Sequence, residues 1–241
     1  MKKNLLILFF IFALLPLFSC TKKEQEQSAE YNYIEAMKLL KSNRYEEAAD
    51  KFDKMLDEHP FSKWSVKGQV MAIYCYYENK DYDVVVDNAE NFISDNPAHP
   101  DIPYVYYLKA MAYYNNIPDI SRGQDQTQLA SYSFRELIAR FPETDYAEDA
   151  RGRLALVDEH LAGAKMQIAR YLMTNANYVG AILNLNNVIV AHKNTEQIPE
   201  AYFRLAEIYS RIGMRDEAQK AILTLQNLDE KSEWQNKIIN N

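Results

Sequence analysis

The chain has 241 residues, a net charge of −7 at pH 7, a hydrophobic fraction of 48% and only 6 glycines. So few glycines argue against a β-rich or loop-rich fold. The acidic balance argues against nucleic acid as a partner and against purely electrostatic attachment to anionic lipid.

The first 19 residues have the pattern of a secretory signal. Lys2 and Lys3 precede a 14-residue apolar run, 5–18, which is shorter than the ~20 residues that a membrane-spanning helix needs. The run ends in Leu-Phe-Ser followed by Cys20, which resembles a bacterial lipobox, whose cysteine is lipidated and becomes the first mature residue. The alternative is a plain signal peptide that is cut nearby, with Cys20 incidental.

The lipobox resemblance implies an N-acyl and S-diacylglycerol lipid on Cys20. Because Thr21 follows in place of aspartate, it also implies an outer-membrane address. Residues 20–29 are polar and are predicted to form a flexible tether. The other cysteine, Cys75, lies in an apolar helical stretch and is predicted to be a buried thiol without a disulfide partner. No other cofactor is predicted.

One pattern of small, bulky and helix-ending residues recurs along the rest of the chain. A small residue is followed by bulky apolar residues at one-turn steps, and a proline ends the first three copies. This pattern, at a period of about 34 residues, is typical of tetratricopeptide repeats and predicts an all-α, right-handed solenoid of about five helical hairpins. The five copies contain Ala48, Phe52 and Met55; Val85, Ala89 and Phe92; Ala130, Phe134 and Leu137; Ala181, Leu185 and Val188; and Ala218, Ile222 and Leu225.

The first helices of the first three hairpins carry tyrosines on matching faces. In stacked hairpins these helices line the concave surface, so the rings are predicted to pave a groove for an extended or helical apolar-aromatic peptide. The alternative is that the rings fill the gaps between hairpins. The predicted groove residues are Tyr33, Tyr74, Tyr77, Tyr104, Tyr107 and Tyr114.

The later hairpins depart from the regular spacing. A polar insertion, Asn115 to Gln126, is either a partner contact or a tolerated insertion. The fourth hairpin is predicted to begin with two successive helices, from about Tyr146 through Val157 and from His160 to Met173. The fifth, Pro199 to Leu228, is predicted to cap the stack.

No catalytic constellation emerges from the sequence. A nucleophile with its base, a set of metal ligands and a glycine-rich phosphate loop are all lacking in the contexts that they require. Asp149 with Arg151 and Arg153 is predicted to lie on a solvated helix face. The chain is therefore predicted not to be an enzyme, with no catalytic residue and no metal site.

Several segments together resemble the BamD family of lipoproteins, which belongs to the machinery that assembles β-barrels in the outer membrane. The resemblance runs from the lipobox to the last repeat. It implies a lipid-anchored scaffold on the inner leaflet of the outer membrane, facing the periplasm. The most specific segments are residues 48–61, 74–77, 96–102, 134–150 and 169–171.

The resemblance also implies a division of labour. The amino-terminal repeats, residues 30–143, would bind unfolded outer-membrane proteins. The carboxy-terminal repeats, residues 144–241, would dock the central barrel subunit, with Arg170, Tyr171 and Asn184 as candidate contacts. Further assembly lipoproteins are additional candidate partners. Members of the family often carry arginine at the position of Asn184, so the resemblance does not extend to a charged contact there.

A second functional class remains open from the sequence. Another repeat lipoprotein, such as a secretin pilotin or a coordinator of envelope constriction, would also be helical and anchored.

Overall fold

The computed structural model describes residues 28–228 and Trp234, so the predicted signal, Cys20 and most of the tether lie outside the described residues. Residues 28–228 form ten helices and no strand. None of the helices in this part of the chain is both long and apolar enough to cross a membrane. The helices are α1 (Ala29–Lys41), α2 (Tyr45–Glu58), α3 (Lys63–Asn79), α4 (Tyr82–Asp95), α5 (Ile102–Asn115), α6 (Asp125–Arg140), α7 (Asp145–Thr174), α8 (Tyr178–Ala191), α9 (Ile198–Arg211) and α10 (Arg215–Leu228).

Successive helices pack against each other as five hairpins, and each hairpin packs on the next. The first helices of neighbouring hairpins, α1, α3, α5 and α7, also contact one another in a row. The chain is therefore an all-α solenoid of tetratricopeptide-like hairpins, which confirms the predicted fold class.

The repeated pattern forms the hydrophobic core. Every residue of the five copies is buried except Ile222, which is partly buried and packs against the core of the last two hairpins. The alanines let neighbouring helices approach closely, and the bulky residues one turn later fill the space beside them. The local pattern thus predicted the second helix of every hairpin.

Four of the five hairpin turns use one residue in the left-handed conformation. These residues are Asn43, Lys80, Ala176 and Gly213, with φ between 55° and 82°. Such a residue redirects the chain after a helix, and glycine adopts the conformation without strain. Ala176 adopts this conformation although it is not glycine, so its turn keeps the same geometry. The strain on alanine costs some stability.

The fourth hairpin begins with one continuous helix, α7, of 30 residues. The predicted division into two helices near Val157 is therefore wrong. The helix runs through Asp158 and Glu159 because no proline interrupts residues 145–174, and both carboxylates also find partners on other elements. Arg135 on α6 donates to both oxygens of Asp158 at 2.9 and 2.8 Å, and the backbone N–H of Glu196 donates to Glu159 at 2.8 Å.

The polar insertion between α5 and α6 packs on the solenoid. Ile117 packs against the central hydrophobic cluster. Ile120 lies over Gly163 of α7. A Cβ atom added to Gly163 would stand 2.7 Å from the Cδ1 atom of Ile120. Glycine at position 163 therefore permits the close approach of this loop to the long helix.

The interior is divided into three hydrophobic clusters along the solenoid. The first belongs mainly to the first hairpin, the second extends to Leu161, and the third begins at Ala162. Helix α7 thus contributes to the last two clusters and links the halves of the molecule. Cys75 is fully buried, as predicted, and burial raises the pKa of its thiol to about 12.

Candidate functional site

Tyrosines from three successive first helices form an aromatic surface, which we term the tyrosine band. Its members on α3 and α5 are half-buried, and Tyr146 on α7 is 36% exposed. The Tyr146 ring lies 5.3 Å from Tyr104 and 5.4 Å from Tyr107, centroid to centroid. The band therefore bridges the second, third and fourth hairpins. It consists of Tyr74, Tyr77, Tyr104, Tyr107, Tyr114 and Tyr146.

Two charged residues of α7 belong to the same surface. The Tyr107 hydroxyl donates to Asp149 at 2.7 Å, and Arg153 donates to the same carboxylate at 2.5 Å. The Arg153 guanidinium lies 5.3 Å from the centroid of the Tyr114 ring. Asp149 and Arg153 thus hold aromatic side chains in place, whereas the sequence predicted only a solvated helix face.

Two hydroxyls of the band, those of Tyr104 and Tyr107, are neutral. Burial raises the pKa of Tyr104 far above its usual range. Burial, followed by the bond to Asp149, raises the pKa of Tyr107 to about 12. Both side chains therefore stay protonated at neutral pH, and the band presents flat rings with hydroxyl groups that can bond to a peptide backbone.

Tyr33, the remaining predicted groove residue, contacts two other aromatic rings. Its ring lies 5.6 Å from Phe52 of the first hairpin and 5.1 Å from Trp64 of the second, centroid to centroid. Tyr77, by contrast, accepts a 2.9 Å bond from Asn115 at the end of α5. The rings thus fill the space between hairpins and also form a surface. The structure therefore has features of both interpretations of the tyrosines, a groove and a filling between hairpins.

The three candidate docking residues have different surroundings. Arg170 donates two hydrogen bonds, at 2.9 and 2.6 Å, to Glu200 on α9. Tyr171 is 68% exposed. The Asn184 amide donates to the Gly180 carbonyl on its own helix at 2.9 Å. Arg170 therefore ties two hairpins together, whereas Tyr171 is open to a partner.

An exposed apolar stripe on α8 was not predicted as part of a site. Val179, Leu183 and Val190 are 72%, 66% and 78% exposed. Their spacing of four and seven residues places them on one face of the helix. This helix contains more hydrophobic residues than its buried face, which consists of Ala181, Leu185 and Val188. That surplus is the signal in the sequence that could have identified the stripe.

No group of three or more histidine, cysteine, aspartate or glutamate side chains within the described residues is arranged to hold a metal ion. The predicted lipidation site, Cys20, lies outside these residues, so lipid attachment there stays a prediction.

A family model described as YfiO, outer membrane lipoprotein, matches residues 25–225. The match covers all ten helices except the last residues of α10. The tyrosine band, the Arg170–Glu200 pair and the α8 stripe thus all lie within the part of the chain that the family model describes.

Curated relatives show the same similarity. The chain is 36% identical to the outer membrane protein assembly factor BamD of Caulobacter vibrioides over 81% of its own length, and spans 64% of that protein. It is 37% identical to BamD of Rickettsia prowazekii, covering 78% of this chain and 75% of the relative. Among solved structures, a kinesin light chain of TPR-like repeats from Podosopora anserina gives a TM-score of 0.43 at 16% identity, covering 84% of this chain and 95% of that one.

Proposed function

Because this chain belongs to the YfiO family of outer membrane lipoproteins, we propose that it is a lipid-anchored periplasmic scaffold for the assembly of outer-membrane β-barrel proteins. The anchor would be the lipid on Cys20, and the described repeats would face the periplasm. The name that the curated relatives share, outer membrane protein assembly factor, supports this role. The function is that of a binding scaffold and not of an enzyme.

The structural observation that carries the proposal is the tyrosine band. Strands of outer-membrane barrels alternate outward apolar residues with inward polar ones and carry aromatic girdles near the membrane interfaces. An unfolded strand of this kind offers an apolar side chain at every second position. The rings of the band can pack against those side chains, while neutral hydroxyls bond to the backbone between them.

The carboxy-terminal hairpins supply a second surface for a different partner. The α8 stripe is apolar and strongly exposed, and Tyr171 near the end of α7 is exposed as well. Asn184 lies one residue beyond Leu183 on the same helix. We propose that this surface docks the central barrel subunit of the assembly machinery, while Arg170 ties the fourth and fifth hairpins together through Glu200.

Binding of a synthetic peptide tests the client-binding role. The peptide would carry the carboxy-terminal strand of an abundant outer-membrane barrel with a fluorescent label, and fluorescence anisotropy would report its affinity for the folded chain. Tyr107→Ala is expected to weaken binding by about 1–3 kcal/mol, the range for loss of an aromatic anchor. Tyr107→Phe retains the ring and is expected to weaken binding less.

The matched control is Tyr132→Ala. Tyr132 is 65% exposed on α6, a second helix of its hairpin, and lies outside the band. Its removal is expected to leave the affinity unchanged. Equal affinity for wild type and Tyr107→Ala, or equal losses for Tyr107→Ala and Tyr132→Ala, would contradict peptide binding by the band.

A further inference from the structure

The turn between α2 and α3 displays a phenylalanine ring to solvent. Phe61 is 101% exposed. The turn that carries it is well fixed: the backbone N–H of Ser62 donates to the His59 carbonyl at 3.0 Å, and the Ser65 hydroxyl donates to the same carbonyl at 2.6 Å. The ring therefore adds nothing to the packing of the core, and its position is set by the turn.

Two lysines and a tryptophan follow this ring within six residues of the sequence. The ammonium groups of Lys63 and Lys67 lie 5.5 and 5.4 Å from the centroid of the Trp64 ring. Both lysines are exposed, and neither pairs with a carboxylate of the described residues. Phe61, Lys63, Trp64 and Lys67 together form what we term the basic-aromatic patch.

The patch lies at the end of the solenoid where α1 begins. Trp64 contacts Tyr33 of α1 at 5.1 Å between ring centroids, and the Asn32 amide donates to Glu58, the last residue of α2, at 3.4 Å. Ser28 precedes Tyr33 by five residues, or about 7.5 Å along a helix axis. The first described residue of the chain is thus a close neighbour of the patch.

This placement limits the distance between the patch and the proposed lipid. Cys20 precedes Ser28 by eight residues, which reach at most about 28 Å when fully extended. A lipid on Cys20 would hold the start of α1 within that distance of the bilayer, and the patch lies beside the start of α1. The anchor would also overcome the acidic charge of the whole chain, which opposes attachment by electrostatics alone.

We propose that the basic-aromatic patch is a membrane-contact site that rests on the surface of the bilayer to which the chain is anchored. Phenylalanine and tryptophan favour the interfacial region, where an apolar ring is buried and a polar edge stays hydrated. Lysines at the same level attract the phosphates of anionic lipids. The contact would fix which edge of the solenoid faces the membrane. The inference rests on the proposed lipid anchor.

Quenching of tryptophan fluorescence tests the contact, because one tryptophan lies in the patch and the other lies far along the chain. The full-length lipidated chain is reconstituted into vesicles of phosphatidylethanolamine with about one quarter phosphatidylglycerol, with or without bromine on the upper acyl-chain carbons. Trp234→Phe leaves Trp64 as the only reporter. Trp64→Phe leaves Trp234, which packs 5.2 Å from Phe203 of the fifth hairpin and serves as the matched control.

Brominated lipid is expected to quench Trp64 strongly and Trp234 weakly. Phe61→Ser, and the pair Lys63→Gln with Lys67→Gln, are expected to reduce the quenching of Trp64 towards that of Trp234. Circular dichroism of each variant confirms the fold.

Flotation of the vesicles separates the two proposals. A chain that floats with the vesicles while Trp64 is quenched no more than Trp234 would overturn the membrane contact and leave the anchor standing. Unchanged quenching in Phe61→Ser would overturn the contact in the same way, and the patch would then be available to a protein partner. A chain that does not float would overturn the anchor, and with it the orientation on which the contact depends.

Discussion

Removal of the Arg170 side chain is expected to destabilise the carboxy-terminal hairpins, and not only to weaken a partner contact. Arg170 makes two hydrogen bonds to Glu200, which is 6% exposed. Arg204 donates a further bond to this carboxylate at 3.2 Å. In Arg170→Ala the buried carboxylate would keep only one of its two cationic partners.

The magnitude follows from the burial of the pair. Loss of one partner from a fully buried ion pair costs about 3–5 kcal/mol. The Arg170 side chain is 43% exposed, so water screens its charge, and Arg204 still compensates part of the carboxylate. We therefore expect Arg170→Ala to lower the free energy of unfolding at neutral pH by about 1–2 kcal/mol.

The loss should depend on pH in a defined direction. Burial alone would raise the pKa of Glu200, but the hydrogen bonds and charges of Arg170 and Arg204 outweigh it and hold the pKa below the usual 4.5. A carboxyl with a lowered folded-state pKa stabilises the fold above its unfolded pKa, and the contribution is lost as the pH falls through the folded value. The difference between wild type and Arg170→Ala should therefore be full at pH 7 and disappear in acid.

Urea unfolding in a Trp64→Phe background measures this effect locally, because Trp234 then reports on the fifth hairpin through its contact with Phe203. The control is Arg211→Ala, since Arg211 makes one long bond of 3.4 Å to Tyr178 at the surface. Equal midpoints for Arg170→Ala and Arg211→Ala at pH 7, together with loss of the partner in pull-downs, would refute a structural role and make Arg170 a docking residue.

Three further predictions concern the packing of the core, strain in a turn and the burial of a thiol. Gly68→Ala would place its Cβ 2.3 Å from the Cε atom of Met55, and displacement of this buried side chain should offset the gain in helix propensity. Gly152→Ala meets open space and should raise the unfolding free energy by about 0.5–1 kcal/mol. A urea midpoint that rises more for Gly152→Ala than for Gly68→Ala checks both. Ala176→Gly should stabilise the chain by about 0.5–1 kcal/mol, because the φ of 55° at this position strains alanine. The control Ala155→Gly, inside α7, should destabilise the chain by about 1 kcal/mol. Equal changes in the urea midpoint for the two variants would argue against strain at the turn. Burial raises the pKa of the Cys75 thiol to about 12, so this thiol should resist alkylation at pH 8 until urea unfolds the chain. Mass spectrometry would detect the alkylation. Rapid alkylation of the folded chain would contradict the burial of Cys75.

The sequence predicted those parts of the fold that depend on local patterns. The small and bulky residues of each second helix, such as Ala130 and Phe134, are buried because their spacing alone places them on one helical face. The five hairpins follow from repetition of that face. Local spacing carries this information because each hairpin packs mainly on its neighbours.

The continuity of α7 could not be predicted in the same way. Asp158 and Glu159 interrupt the apolar pattern, and the prediction of two helices placed a break there. The helix continues because neither residue breaks a helix, and Arg135 and the backbone of Glu196 supply partners for the two carboxylates from other elements. Contacts between residues 23 and 37 positions apart leave no periodic signal in a single sequence.

In the candidate site, too, local patterns were predicted and contacts between distant residues were not. Tyr104 and Tyr107 were predicted because they lie on one face of a repeated helix. Tyr146 and Asp149 were missed as members of the site because they follow a turn and contact these rings across two hairpins. A repeat pattern identifies the face of a helix, but the partner on the neighbouring hairpin depends on how the helices stack.

A pull-down from the native envelope tests the scaffold role most directly. The full-length chain with an affinity tag after the last residue would be extracted from its own membranes in mild detergent, and the proteins recovered in near-equal amounts would be identified by mass spectrometry. The proposed function predicts a large outer-membrane barrel with periplasmic repeat domains, and predicts its loss when Leu183→Asp disrupts the α8 stripe. Recovery of a secretin or of cell-wall factors in place of that barrel would contradict it.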